Sequence, residues 1–319
     1  MNILKYCMAI LFSGLVILAS DDNLTGFEKF QKIRELNIEA QEEQADGDFK
    51  AAGKIYLKMF KLERNRQRQA AFLLKAADSF FNAKKGSDAK QHYTNLLENY
   101  SLYVPYEHVV TNLRLLAEQY VNGECTFLHL RDKAGAIKVY ELIIREAPAA
   151  HISAKDRHRL GELLLLEDRP EEAIVVYQNI IKGNLHDWEA HKQLALTFAA
   201  LASNSDGDGS KMRAAVREAR IVLQHDPQNA AAHQLQLLID NSQELNARRI
   251  LERAQFYLLP TSKRPSAARR YFHDVITNYP DTISAQRARE YLDTVPEIVQ
   301  LERQMSEQNA DTKDNQPKN

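Results

Sequence analysis

The chain predicts an all-α fold, a solenoid of about six helical hairpins closed by a C-terminal capping helix, and three recurring spacings carry that prediction. The first is an alanine followed four residues later by an aromatic: Ala52 with Tyr56, Ala89 with Tyr93, Ala136 with Tyr140, Ala173 with Tyr177 and Ala268 with Phe272, reduced once to Ala215 with Ala219. The second is a small residue with a bulky one three positions on: Ala77 with Phe80, Ala117 with Tyr120, Gly161 with Leu164, Ala195 with Phe198 and Ala254 with Tyr257. The third is a proline twelve residues after the alanine in three repeats, Pro148, Pro227 and Pro280. Residues three or four apart share a helix face, so the small one admits a neighbouring backbone while the bulky one fills the space beside it. A helix pair built this way cannot bury its apolar face alone, and stacking on the next pair completes the core.

The elements follow in order from this register. The first repeat has only Ala40 where its first helix needs a small residue, before Ala52 and Tyr56. Twelve residues separate Ala77 from Ala89 and Gly161 from Ala173, and longer intervals elsewhere read as inserts at Asn122 to Lys133, Ser203 to Ser210 and Pro260 to Pro265. Ser153 with Asp156 has the form of a capping box, and Asp168-Arg-Pro-Glu-Glu sets a capping residue, a first-turn proline and two acids at a helix start. Asp187 and Asp281 are expected caps as well. After Pro296 a short apolar helix, Glu297 to Met305, is expected to cover the last hairpin, and the polar tail 306–319 has nothing to bury. Residues 21–305 thus form the expected solenoid. Charged residues make up 27% of the chain with both signs interspersed, and 11 Gly and 9 Pro leave mostly good helix formers. A formal net charge of −1 provides no global field toward nucleic acid or anionic membrane, so electrostatic recognition has to be local.

Taken together, these marks resemble the tetratricopeptide repeat over about residues 34 to 295, with Arg159 to Lys182 the best match. The tryptophan that family carries early in its first helix is missing except for Trp188. The C-terminal stretch AARRYFHDVITNYPDTISAQRAREYL, through Phe272, Tyr279, Pro280, Asp281 and Ala285, is similar to the closing repeats of BamD-type outer-membrane assembly lipoproteins and of YbgF (CpoB) periplasmic proteins. The resemblance implies a right-handed superhelix, binding of other proteins or extended peptides, and no enzymatic activity. It also implies that first helices line a concave groove. Counting along them proposes Asp78, Asn82, Arg114, Glu118, Asn122, Lys155, His158, Glu162 and Lys192 as groove residues.

Residues 6–19 form an apolar run preceded by Lys5 and followed by Ser20, Asp21 and Asp22. This is short for a membrane span of about 20 residues and fits a secretory signal over residues 1–20; an uncleaved anchor is the alternative. Cys7 lies at the start of the run, not at the cleavage point a lipoprotein needs. Removal of the signal leaves Cys125 as the remaining cysteine, so no internal disulfide is expected. Export places the expected partners in the bacterial envelope: periplasm, outer-membrane periphery and assembly components there. The alternatives are a membrane-anchored adaptor facing the cytoplasm and an accessory subunit of a peptidoglycan enzyme.

No metalloprotease helix, phosphate-cradling glycine loop, nucleophile elbow or paired-cysteine zinc spacing is present, and neither His151 with His158 nor His186 with His191 has the spacing for zinc on one helix. Neither cofactor nor metal is therefore expected. Asn204 to Gly209 resembles the first half of a calcium loop, but Ala215 stands where the closing glutamate belongs, so the reading is a polar insert with weak calcium binding as the alternative. A basic cluster of Arg248, Arg249, Arg253, Lys263, Arg264, Arg269 and Arg270 is opposed by Glu252 alone and reads as a solvated face, with an acidic partner, phospholipid head groups or, least in keeping with export, nucleic acid as the alternatives.

Overall fold

The structure, a computed structural model, describes residues 25–204 and 209–296, together with 298 and 300. Among these residues it is entirely helical, with no strand. The α-helices are α1 (Gly26–Ala45), α2 (Phe49–Leu62), α3 (Arg66–Asn82), α4 (Gly86–Asn99), α5 (Tyr106–Asn122), α6 (Lys133–Glu146), α7 (Ala154–Leu166), α8 (Pro170–Gly183), α9 (Trp188–Asn204), α10 (Ser210–His225), α11 (Ala232–Phe256), α12 (Pro265–Asn278) and α13 (Ile283–Thr294). They fall into two compact units that divide inside α8, between Val176 and Tyr177. The structure is an all-α array of helical hairpins.

In the first unit α1/α2, α3/α4 and α5/α6 are hairpins, each packed on the next. The repeat alanines Ala52, Ala89 and Ala136 are fully buried, as is Tyr93, with Tyr56 and Tyr140 nearly so. Laid side by side, α3 and α5 have the same burial pattern. Leu73, Ala76, Ala77, Ser79 and Phe80 are buried, and so are Leu113, Leu116, Ala117, Gln119 and Tyr120. Positions of this spacing form one stripe on a helix, which is why the small-then-bulky signature is legible in the sequence.

The repeat tyrosines also join the hairpins by polar contacts. Tyr56 donates from its hydroxyl to Gln44 Oε1 (3.1 Å), and Gln44 Nε2 donates to Ser79 Oγ of the next hairpin (3.3 Å). Tyr93 donates to Asp78 Oδ1 (2.6 Å), which also accepts from Asn112 Nδ2 of the next hairpin (3.0 Å), while Asp78 Oδ2 meets His108 Nε2 (2.9 Å). Burial, reinforced by the charge of Asp78, raises the Tyr93 pKa and keeps the phenol protonated as a donor. Tyr93→Phe is expected to destabilise by about 1–2 kcal/mol, because a part-buried carboxylate loses a short hydrogen bond. Urea unfolding measures this, and a loss under about 0.5 kcal/mol shows that the seam does not hold the hairpins.

In the second unit Ala195, Ala219, Val222, Leu235 and Ile239 join α9, α10 and α11. A larger core of Ala247, Leu251, Ala254, Ala268, Phe272, Val275, Ala285, Ala288 and Ile298 joins α11, α12 and α13, with Phe272 stacked on Tyr291 (5.1 Å between centroids).

The Asn122–Lys133 insert begins and ends where the spacing puts it, and the Ser153–Asp156 capping box is formed. The insert expected from Pro260 starts earlier, after α11 ends at Phe256, and the one expected from Ser203 starts after α9 ends at Asn204. Asp187 caps α9 by accepting from Ala190 N–H (3.0 Å). Other expectations are corrected. Asp281 is not the cap of α13: Thr282 Oγ1 accepts from Ala285 N–H (3.1 Å). Asp168 is a left-handed turn residue (φ 55°), and Arg169 stands directly before Pro170 with its side chain on Glu172 (2.6 Å). The interval between Pro227 and Leu251, unassigned by the repeat marks, is filled by α11, a single helix of 25 residues with neither glycine nor proline to stop it. The last hairpin is covered by α13, and of the helix expected at Glu297 to Met305 the buried Ile298 belongs to the final core. No helix among the described residues is long and apolar enough to cross a membrane. The expected signal at 1–20, the tail 306–319 and the centre of the calcium-like loop, 205–208, lie outside the described residues.

Candidate peptide-binding groove

Helices α5 and α7 are the first helices of successive hairpins, and a pair of charge clamps ties them together. At the start of α7, Ser153 Oγ accepts from Asp156 N–H (3.2 Å), and Asp156 Oδ2 accepts from Ser153 N–H (2.7 Å) and hydroxyl (2.9 Å). The side chain of Asp156, only 3% exposed, then takes a bidentate pair from Arg114: Nε to Oδ1 and Nη2 to Oδ2, both 2.8 Å. Arg114 Nη2 also donates to His151 O (2.8 Å). Burial alone raises the Asp156 pKa, but the Arg114 hydrogen bonds and those from Ser153 outweigh it and hold the carboxyl below its ordinary value. Those same hydrogen bonds raise the Arg114 pKa.

One turn along, Arg159 donates from Nε and Nη2 to the two oxygens of Glu118 (3.2 Å each) and from Nη1 to Glu162 (3.1 Å). Tyr140 donates to the same Glu118 (3.4 Å). The clamps wall a cavity of about 590 Å³ lined by Arg114, Glu118, Tyr140, Ser153, Lys155, Asp156, His158, Arg159 and Glu162. Its rigid walls are charges paired with each other, while Lys155 and Glu162 are exposed at its lining and His158 is half-buried. Such mixed polarity suits charged side chains of an extended chain.

Five of the nine proposed groove residues, Arg114, Glu118, Lys155, His158 and Glu162, therefore surround one cavity. Sequence reasoning gives Arg114 and Glu118 only a ligand-facing role, yet the structure commits both to pairs between hairpins. Asp78 lies on α3 within the Tyr93–Asn112 cluster. Asn82 and Asn122 are exposed at the ends of α3 and α5, outside the cavity. Lys192 belongs to the second unit, on α9, paired with Glu189 (2.6 Å). Tyr140, Ser153, Asp156 and Arg159 were legible as repeat or capping residues but not as groove residues. The available signal was the 42-residue separation of Arg114 and Asp156, one repeat apart.

The basic cluster is spread over three places. Arg248, Arg249 and Arg253 are exposed on α11, Lys263 and Arg264 precede α12, and Arg269 and Arg270 are on α12. Arg253 lies over the Tyr271 ring (5.6 Å). Of the histidines, His151 stacks on Tyr106 (5.6 Å) and His191 pairs with the buried Glu218 (2.7 Å). Trp188 stacks on His225 (4.7 Å). Among the described residues no three His, Cys, Asp or Glu side chains gather as metal ligands. Cys125, within the α5–α6 insert, is buried against Gly86 of α4, and burial pushes its thiol up to about 11.

Comparison with known proteins bears on the repeat itself. The chain is similar to the TPR2AB domain of yeast Sti1 in its complex with pHSP90, at 14% identity over 82% of this chain and 95% of that one, with a TM-score of 0.26. It is also similar to a chain of Naa15/Naa10 bound to HypK-THB, at 14% identity over 80% of this chain and 50% of that one, with a TM-score of 0.15. No curated protein matches. Residues 71–102, from α3 through α4, match the family model of the tetratricopeptide repeat, so the hairpin array contains a repeat of that family.

Proposed function

We propose that the protein is a non-enzymatic scaffold that holds an extended segment of a partner protein in the α5–α7 groove, and that it works in the bacterial envelope after export. The observation that carries the binding role is the pair of clamps, Arg114–Asp156 and Arg159–Glu118, which preorganise a cavity while Lys155 and Glu162 stay exposed at it. The apolar run at 6–19 and the resemblance of the C-terminal repeat to envelope assembly proteins support the location. N-terminal sequencing of protein from cells separates export from retention: a start near Ser20 or Asp21 fits export, and an intact Met1 fits the anchored adaptor.

The groove is tested by reversing charge where it bears on no clamp from Arg114. Lys155→Glu is expected to weaken capture of envelope proteins severalfold without changing helical content, since an exposed substitution costs less than about 0.5 kcal/mol, whereas Glu162 is left in place because it accepts from Arg159 of the second clamp. Undiminished capture by this variant removes the groove from the function. Arg114 is unsuited to the test, because its loss strands a buried carboxylate.

A further inference from the structure

Helix α1 buries one face and shows another to solvent. It packs on α2, with Leu36 and Ala40 buried. On the other side Phe27, Phe30, Arg34, Ile38, Gln41 and Ala45 are all exposed. Their spacing of three and four residues sets them in one stripe along a helix of 20 residues, which is about 30 Å long. Three members of the stripe are large and apolar: Phe27 is 68%, Phe30 59% and Ile38 52% exposed. A cavity of about 220 Å³ borders the stripe at Phe30, and Ile33, Leu62 and Phe72 are its other apolar walls. Apolar surface is therefore continuous around the first turns of α1.

Charge divides the same helix in two. Residues 26–34 hold Lys29, Lys32 and Arg34 against Glu28, whereas residues 35–45 hold Glu35, Glu39, Glu42 and Glu43 and no cation. Glu28 is bound into the capping box with Thr25. Glu42 and Glu43 stand in the last turn, where the helix dipole disfavours acids and favours cations. A helix charged in this way is complementary to itself when two copies run antiparallel, because each basic half then lies along the other's acidic half. The crossing also brings cations to both last turns.

We propose that the exposed stripe of α1 is a self-association surface, on which a second copy of this chain docks antiparallel about a two-fold axis. An axis near Ile38 sets the two Ile38 side chains against each other and brings Arg34 of one copy to Glu42 of the other, since 34 and 42 stand four residues to either side of it. A second copy is the occupant whose charge pattern the sequence itself supplies. Such a contact is closed, because two chains use up both stripes. It shares no residue with the α5–α7 groove and does not depend on it.

Sedimentation of the full chain through micromolar concentrations is expected to show one chain passing to two, with dissociation promoted by salt. Phe27→Ser with Phe30→Ser should weaken association about tenfold or more at unchanged helical content. The control Leu102→Ser with Phe127→Ser removes apolar side chains that are 90% and 84% exposed elsewhere in the same unit and should leave association intact. Arg34→Glu and Glu42→Arg should each weaken the dimer severalfold, and an equal mixture of the two variants should restore it, since each supplies the charge the other lacks. A single chain at every concentration overturns the proposal. Equal loss in both serine double variants does so too, by assigning the contact to apolar surface at large. Association untouched by loss of Phe27 and Phe30 moves the contact off α1, to the apolar run 6–19 or another surface. Mass that climbs past two chains rejects the two-fold axis, and failure of the mixture to recover rejects the antiparallel pairing.

Discussion

Asp156→Ala is expected to destabilise the protein by about 3 kcal/mol, read as a lower urea midpoint at unchanged slope. The substitution removes a buried carboxylate from beneath Arg114 and with it the capping box of α7. A cap alone contributes about 1 kcal/mol, and loss of one partner from a buried ion pair costs more, tempered here because Arg114 is about one-third exposed. The sign of the pH dependence follows from the lowered pKa of Asp156. Its contribution is fully present above the unfolded value, near 3.8, and is lost as pH falls through the lower folded value. Wild-type protein should therefore lose stability on acidification through this window more steeply than the alanine variant. Equal acid sensitivity of the two proteins rejects the clamp as a stabilising pair.

Gly123→Ala should cost about 3 kcal/mol as well, for a different reason. Gly123 ends α5 in the left-handed region (φ 78°), where a side chain is strained by about 1–2 kcal/mol. A Cβ there also meets His129 O at 2.3 Å, and that neighbour is backbone of the same insert, which has to shift. The expected signature is a lower thermal midpoint together with earlier hydrogen exchange around Asn122 to Lys133. An alanine variant as stable as wild type contradicts this close approach.

The fold was legible because its core is periodic. Ala52, Ala89 and Ala136 with Tyr56, Tyr93 and Tyr140 report the packing of one helix on another directly, since only a small residue fits there. Proline at 265 likewise marks the start of α12 through backbone chemistry. The length of α11 was not legible, because the repeat marks stop at its ends and its interior is ordinary helix-forming sequence. The groove was half legible. Helical counting finds which residues leave the core, but pairing across hairpins decides which of them remain open, and that depends on side chains a full repeat apart. Arg114 and Glu118 both left the core and were then taken up by Asp156 and Arg159.

Cys125 gives the α5–α6 joint a built-in clock. Its sulfur sits where a side chain on Gly86 would collide with it at 2.6 Å, and the Gly86 amide donates to Cys125 O (3.4 Å), so the thiol is wedged between α4 and the insert. Burial pushes its pKa up to about 11, so the closed thiol is protonated at neutral pH and reacts when the joint opens and water reaches it. Alkylation in the native state thus counts excursions of a single joint, not unfolding of the whole chain. A ligand of the proposed α5–α7 groove that stiffens α5 is expected to slow the count, read as the mass of the peptide that carries Cys125.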